Sequence, residues 1–310
     1  MATLLISSTR HAYLRASAAY RVSLMHPLAL RPLSSVTSPS AAEVIADWKV
    51  AVLKKPVIVE RDTIRPQPLQ QLAMTLDKTT PTAQLFKKGA PLPVNWHHAF
   101  FPPMIGEADL GQDGYDMAHA PPAPFLARMW AGGGVEQNPS NLLKIGQEMM
   151  MKTKCTGVDI KQSRSGETMV FVSLEKLIEN EHGWALTDRR TLVYMEKDEK
   201  RVNTSNPKNV KPRREADFSM AVHPTAILLF RYSALTFNSH RIHFDHEYAN
   251  KIEDHPERAY DSIFKVCSRN TAVVPTMDAD VVESYEVWVE NPEGGLAMSS
   301  TVEVVQEAKA

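Results

Sequence analysis

Alternating hydrophobic and polar positions along two stretches of the chain predict two groups of β-strands. The first group comprises residues 148–162, 167–181 and 184–197, separated by the turn sequences SRSG and EHG. The second group comprises residues 261–274, 280–290 and 296–306, with NPEGG as a tight turn before the last strand. Short strands with this punctuation are typical of antiparallel meanders. The pattern therefore predicts one antiparallel sheet in each half of the chain.

Other patterns predict the elements around these strands. Hydrophobic residues at helical spacing indicate an amphipathic helix over residues 42–55 and a second helix over 69–76. The apolar run AVHPTAILLFRYSAL at 221–235 is interpreted as the β-rich entry to the second half. The glycine run 132–134 lacks the lysine and the flanking strand of a phosphate-binding loop, and is interpreted as a turn.

Composition divides the chain into four parts. Residues 1–42 contain four arginines, many serines and alanines, and no acidic residue. This composition is typical of a mitochondrial transit peptide, with a disordered N-terminus as the alternative. Residues 197–217 are polar, charged and proline-containing, which favours a linker. The N-terminal half is expected to span residues 43–196 and the C-terminal half residues 218–306.

Charge and cysteine content argue against several classes of function. The 310-residue chain has a formal net charge of −1, so no overall positive field attracts nucleic acid or an anionic membrane surface. No apolar run approaches the ~18 residues of a membrane span. Cys155 and Cys267 match no zinc or CxxC spacing, which favours a reducing compartment and unpaired thiols.

The segment TFNSHRIHFDH at 236–246 concentrates groups that can hold a proton, a water or a metal ion. His240, His243 and His246 recur every three residues. On a helix this spacing spreads three ligands over roughly 120° of arc, and on a strand the middle side chain points away from the other two. A metal site is therefore disfavoured. Asp245 as the N-cap of a following helix would explain that residue, but not the imidazoles beside an amide.

The pattern N-x-H-x-I-H at 238–243, preceded by RYSALTF, resembles the hydratase motif of hotdog-fold, MaoC-like enoyl-thioester hydratases and 3-hydroxyacyl-thioester dehydratases. It is similar above all to the mitochondrial type 2 dehydratases and the mesaconyl-C4-CoA hydratase relatives. The segments 122–133, 163–172 and 186–196 resemble the N-terminal half of the same family. The resemblance implies an α+β double hotdog, in which two antiparallel sheets each wrap a helix.

This resemblance also implies a hydro-lyase that interconverts 3-hydroxyacyl and trans-2-enoyl thioesters without a metal or other cofactor. In the family motif D-x-N-P-L-H, the acid corresponds to Asn238 and the catalytic histidine to His243. His243 is expected to take the α-proton, while Asn238 holds the departing or attacking water. His240, Arg241 and Trp96 are expected to contact the substrate. Trp96 lies in an aromatic cluster, for which core packing is the alternative.

The implied substrate is carried on acyl carrier protein or coenzyme A, in fatty-acid synthesis or short branched acyl-CoA metabolism in the mitochondrial matrix. The chain departs from the family after residue 251, where only IEDHPERAY (252–260) replaces a long apolar helix. The second hotdog is therefore expected to lack most of its central helix. A homodimer would cover the exposed sheet. A catalytically impaired, thioester-binding or scaffold protein is the alternative function.

Overall fold

A computed structural model describes residues 41–76, 86–163, 166–196, 210–253, 263–275 and 281–306. The expected transit peptide lies outside these residues except for its last two positions, and so do residues 197–209 of the expected linker. The expected domain boundaries therefore stay predictions. In the described part of the chain, no helix has the length and apolar character needed to cross a membrane.

The first sheet has five antiparallel strands in the order β1-β3-β4-β5-β2. Their bounds are β1 Ile58–Thr63, β2 Ala127–Gln137, β3 Glu148–Gln162, β4 Thr168–Asn180 and β5 Gly183–Met195. Strands β3, β4 and β5 confirm the predicted meander. Strands β1 and β2 extend it at its two edges, and the sequence pattern did not predict either of them.

Helices α1 (Ala41–Leu53) and α2 (Pro66–Leu76) confirm the two predicted helices. Val52 of α1 packs in one core cluster with Val172, and Leu69 of α2 packs in another with Ile178. Each fully buried side chain of this kind contributes ~1.5–3 kcal/mol. Val172 and Ile178 alternate onto the same face of β4, which we call the inner face. Lys176 lies between them on this face and is partly buried.

The second sheet has four antiparallel strands in the order β6-β7-β8-β9. Their bounds are β6 Phe218–Val222, β7 Phe264–Pro275, β8 Val281–Glu290 and β9 Leu296–Gln306. Strands β7 to β9 confirm the three predicted strands of this half. Among the described side chains of these strands, only those of Cys267 and Trp288 are buried. The second sheet is therefore covered far less than the first.

The prediction of a β-rich entry over 221–235 is wrong for most of its length. Strand β6 ends at Val222, and residues Ala226–Leu235 form helix α3. Thr225 caps this helix, because its side-chain oxygen accepts a hydrogen bond from the backbone N–H of Leu228 at 3.1 Å. A short apolar run is compatible with a strand or a helix, and the cap favours the helix here.

The prediction of a turn at the glycine run 132–134 is also wrong, because these residues lie within β2. A Cβ at Gly133 would collide with the carbonyl oxygen of Arg189 on the neighbouring strand β5. The absence of a side chain at Gly133 therefore lets the two backbones approach. Glycine within a strand commonly marks such a close approach or a bulge, and a register shift follows Trp130 in this pairing.

Two antiparallel sheets with few helices form the α+β double hotdog that the resemblance implies. In the second half, helix α4 (His246–Lys251) is short and precedes β7. Residues 254–262, which include most of the segment expected to replace the central helix, lie outside the described part of the chain, so that expectation stays a prediction.

Candidate active site

The segment 236–245 leaves helix α3 and folds back as a compact loop. Phe237 adopts a left-handed conformation with a φ of 51°. The backbone N–H of Asn238 donates to the carbonyl oxygen of Ser233 at 2.9 Å, and the Ser233 hydroxyl donates to the carbonyl oxygen of Asn238. These two hydrogen bonds fix Asn238 against the last turn of α3. A 3₁₀ turn at Arg241–His243 then brings the histidine back towards it.

A hydrogen bond joins the side chains of Asn238 and His243, with Nδ2 of the amide 3.2 Å from Nε2 of the imidazole. The other end of the amide fixes its orientation, because Oδ1 accepts the backbone N–H of His240 at 3.1 Å. Nδ2 is therefore the donor towards His243, and Nε2 of His243 carries a lone pair. The loop thus presents an unprotonated imidazole nitrogen next to an amide.

Burial lowers the pKa of His243 below its usual value of about 6.5. Burial also lowers the pKa of His240, to about 4, and the nearby Arg128 adds to this effect while Asp113 opposes it. Both imidazoles are consequently neutral near pH 7. A neutral His243 can accept a proton at Nε2, which is the first requirement of a general base.

The first half of the chain holds this loop through its backbone at residues 113 and 114. The carbonyl oxygen of Asp113 accepts the backbone N–H of Arg241 at 2.8 Å, and the Ser239 hydroxyl donates to the carbonyl oxygen of Gly114 at 2.6 Å. Gly114 has a φ of 77°, and a Cβ there would collide with the carbonyl oxygen of Ser239. Glycine is therefore required at this contact between the halves.

The Asp113 carboxylate is the centre of a polar network beneath the loop. Arg128 donates to it through Nε at 2.7 Å and through Nη2. Nε2 of His240 lies 3.6 Å from the same carboxylate oxygen. The Tyr115 ring stacks under the Arg128 guanidinium at 4.4 Å and meets the His240 ring edge-on at 5.7 Å. His240 in turn meets the ring of His243 at 5.8 Å, so the network orients the loop at 236–245.

A cavity of about 2630 Å³ connects these groups with the inner face of the first sheet. Asn238 and His243 line one part of it, and Lys176 and Arg190 line another. Apolar side chains complete the lining, among them Phe101, Leu142, Phe230 and Met298. This volume exceeds the ~300–1,000 Å³ of ordinary small-molecule sites. The cavity has room for an extended ligand beside His243.

The structure places the three expected substrate-binding residues in different environments. His240 lines the cavity. Arg241 also lines it, but its guanidinium is bound to the Asp245 carboxylate at 2.6 Å. Trp96 packs against Phe86, with ring centroids 5.6 Å apart, and is not among the described residues that line the cavity. The position of Trp96 favours the core-packing alternative.

One group of side chains in the described residues has the arrangement of metal ligands, namely His97, His98 and Asp188. The histidines of the motif do not form such a group there. Arg190 lies among these ligand atoms: its Nη2 donates to the Asp188 carboxylate at 2.6 Å and contacts Nδ1 of His98 at 2.9 Å. Burial, reinforced by His97 and Arg190, lowers the pKa of His98 to about 3. The guanidinium supplies the positive charge here, so the group is an ion-pair network.

Sequence reasoning assigned no role to Asp113, Tyr115, Arg128 or Lys176. The stretch GQDGYD around Asp113 reads as a polar turn, and nothing in it points to a histidine more than a hundred residues later. Arg128 stood in a segment of family resemblance, without a partner to suggest its function. The surroundings of these residues are set by strands and loops that are distant in the chain, within the first half and between the halves.

Comparison with known proteins identifies relatives of the chain. The family model described as Hydroxyacyl-thioester dehydratase type 2 matches residues 95–259, which include both Asp113 and the loop at 236–245. The Mesaconyl-C(4)-CoA hydratase of Chloroflexus aurantiacus is 33% identical over 215 residues, which cover 68% of this chain and 72% of the relative. The mitochondrial Hydroxyacyl-thioester dehydratase type 2 of Schizosaccharomyces pombe is 26% identical over 223 residues, covering 64% of this chain and 73% of the relative.

The fold also has a counterpart among solved structures. A MaoC-like dehydratase superposes with a TM-score of 0.55 at 10% sequence identity, covering 84% of this chain and 100% of that chain. At this identity the likeness supports the double-hotdog fold alone. The family match and the 33% identical relative carry the assignment further. The chain belongs to the hydroxyacyl-thioester dehydratase type 2 family.

Proposed function

We propose that His243 and Asn238 catalyse the reversible dehydration of a 3-hydroxyacyl thioester to a trans-2-enoyl thioester. Membership of the family makes the chain a dehydratase or hydratase of thioesters, and therefore a hydro-lyase. The hydrogen bond between Asn238 and His243, at 3.2 Å beside the cavity, is the observation that carries the residue assignment.

His243 acts as the base in the dehydration direction. Its Nε2 takes the proton from C2, the C3–O bond breaks, and the C2–C3 double bond forms. The resulting imidazolium returns its proton to the departing hydroxyl, which leaves as water. Asn238 cannot accept a proton, but its amide can hold the hydroxyl or water by hydrogen bonds. The lowered pKa of His243 keeps the base neutral at the start of the cycle.

The proposal also covers the carrier of the acyl group, the cellular compartment and the oligomeric state of the protein. Acyl carrier protein and coenzyme A both present the acyl group as a thioester, and we include both as carriers of the substrate. The arginine-containing, acid-free N-terminus and the mitochondrial relative support placement in the mitochondrial matrix. The sparse burial in the second sheet supports a homodimer, because a second copy would cover exposed apolar side chains.

The function is tested by measuring the hydration of crotonyl-CoA, which is monitored through the loss of the absorbance of the enoyl thioester. The His243→Ala variant is expected to lower kcat by about 10²–10⁴-fold, the usual contribution of a well-placed acid or base. His182→Ala is the matched control, since this histidine lies in an exposed turn with a side chain 67% exposed. Equal activity of the native protein and His243→Ala would refute the assignment.

A second function is favoured by one observation, the scarcity of buried side chains in the second sheet. A weakened second half would leave a protein that binds thioesters without converting them. The same preparation separates the two proposals. If the protein binds a saturated acyl-CoA but does not convert the enoyl-CoA substrate, the thioester-binding function is supported and the proposal of an enzyme is refuted.

A further inference from the structure

Helix α3 ends with a pattern of backbone hydrogen bonds that usually contains glycine. The backbone N–H of Phe237 donates to the carbonyl oxygen of Ala234 at 3.1 Å, and that of Asn238 donates to the carbonyl oxygen of Ser233 at 2.9 Å. These two bonds define a Schellman motif, in which the residue after the helix cap adopts a left-handed conformation. Glycine is the usual residue there because it has no Cβ. In this chain the position is occupied by Phe237, with a φ of 51°.

A phenylalanine in this conformation is strained, because its Cβ approaches the following carbonyl oxygen. Among the described residues, the other non-glycine residues with a positive φ are Asn95 and Phe101. Asparagine tolerates the left-handed conformation. Phe101 is only 8% exposed, and its backbone N–H donates to the Asp62 carboxylate at 3.0 Å, so its surroundings hold it in place. Core packing does not offset the strain at Phe237 in this way, since 55% of the residue is exposed.

Two exposed phenylalanines flank the proposed catalytic pair in the chain. Phe237 precedes Asn238, and Phe244, which is also 55% exposed, follows His243. All four residues line the cavity, and so does Phe230, an exposed residue of α3. Apolar side chains that are exposed together within a cavity mark a ligand-binding surface. This surface reaches the groups that act on C2 and C3 of the thioester.

We propose that Phe237 is a substrate-contact residue, whose ring packs against the acyl carbons next to C2 and C3, and that Phe244 bounds the same space. A glycine at position 237 would relieve the backbone strain but would leave this surface without a ring. Contact between the ring and the acyl group removes apolar surface of both from water, which favours binding. This inference rests on the proposed function for the identity of the thioester, but the binding test below does not require turnover.

Calorimetric titration of the full chain with butyryl-CoA and with free coenzyme A tests the contact. The ratio of the two affinities isolates the contribution of the acyl group, and it is expected to fall about 5- to 10-fold in Phe237→Ala. Phe237→Leu should keep part of the ratio, because leucine retains apolar surface. Phe218→Ala is the matched control and should leave the ratio unchanged, since Phe218 is 62% exposed on β6 and is not among the described residues that line the cavity.

The Phe237→Gly variant separates the effect of the ring from that of the backbone. Glycine and alanine both remove the ring, but only alanine keeps the strain of the left-handed conformation. Phe237→Gly should therefore unfold about 2 °C above Phe237→Ala, while both variants should lower the affinity ratio equally. In the hydration of crotonyl-CoA, both should raise KM by about 5- to 10-fold with a smaller effect on kcat, as expected when a binding contact is lost.

Three outcomes overturn the inference. The first is an affinity ratio that neither Phe237→Ala nor Phe237→Gly changes; if these variants also lose self-association in sedimentation, the ring belongs to an interface between copies. The second is a native protein that binds butyryl-CoA no more tightly than coenzyme A. The third is equal thermal stability of the two variants, which would show that position 237 is not strained.

The failure of the contact and the failure of the enzyme are distinguishable. A protein that binds butyryl-CoA through Phe237 but converts no enoyl-CoA refutes the enzyme and not the contact. Conversion of crotonyl-CoA that depends on His243, together with an unchanged affinity ratio in the variants of Phe237, refutes the contact and not the enzyme.

Discussion

Replacement of Asn238 by Asp tests how the amide controls its histidine. In the native loop, Nδ2 of Asn238 faces Nε2 of His243 at 3.2 Å, while Oδ1 is held by the His240 backbone N–H. An aspartate in the same rotamer would keep the second contact and place a carboxylate oxygen against the imidazole. The carboxylate stabilises the imidazolium, so the pKa of His243 should rise.

The size of this rise follows from the geometry. An opposite charge within ~4–6 Å shifts a pKa by about 1–3 units. Because the side chain of His243 is only partly buried, solvent screens part of the interaction with the carboxylate. We therefore expect a pKa shift at the lower end of this range. A shift of about one unit corresponds to ~1.4 kcal/mol. The native pKa lies below about 6.5, and the variant base should therefore need a higher pH to become neutral.

The assay is the pH dependence of kcat/KM for hydration of crotonyl-CoA between pH 5 and 9. In native protein the acid limb should lie below pH 6.5, and in Asn238→Asp it should move upward by about one unit. Asn238→Ala removes the amide without adding charge and should move the limb less than the aspartate does. An acid limb that stays in place or moves downward in Asn238→Asp would show that Asn238 does not face the catalytic base.

Three further predictions concern the supports of the site. Gly114→Ala should lower both the free energy of unfolding and kcat, because the added Cβ collides with Ser239; thermal unfolding and the hydration assay measure the two effects, and unchanged values in both would contradict the contact. Thr225→Ala should lower the free energy of unfolding by ~1 kcal/mol through loss of the α3 cap, with Thr225→Ser as the control that restores it in urea titrations. The pKa of His98 is about 3 in the folded chain and ordinary when unfolded, so the unfolded state binds its proton first as pH falls. The free energy of unfolding should therefore decline below pH 6.5, and this residue contributes at most ~1.4 kcal/mol per pH unit to the decline. Urea titrations at pH 7.5, 6 and 5 measure this free energy, and its values at the three pH values should differ less in His98→Gln than in the native protein.

Much of the fold could be predicted because its signals are local. The strands of both meanders follow from alternation and turn residues within each segment. The apolar run before the loop was misinterpreted, since hydrophobicity alone does not distinguish a short strand from a helix, and Thr225 within this run was not recognised as a helix cap. The glycines of β2 were misinterpreted as a turn, because the close backbone of Arg189 is a feature of another strand.

The candidate site likewise contains residues that the sequence could predict and residues that it could not. Asn238 and His243 are five residues apart, so one loop suffices to join them, and the motif alone pointed to the pair. Their network partner Asp113 belongs to the other half of the chain, and its relation to His240 depends on how the halves pack. Lys176 looked like an ordinary lysine in a strand, and its environment depends on the strands beside it.

The sequence by itself determined the meanders, the two N-terminal helices and the segment that carries Asn238 and His243, because short-range periodicity and turn chemistry encode such features within a few residues. The tertiary structure decided which side chains face the loop from the first half, and how Thr153, Lys176 and Asp188 form one row across neighbouring strands. Burial and cross-strand register join residues that are distant in the chain, and no local pattern contains that information.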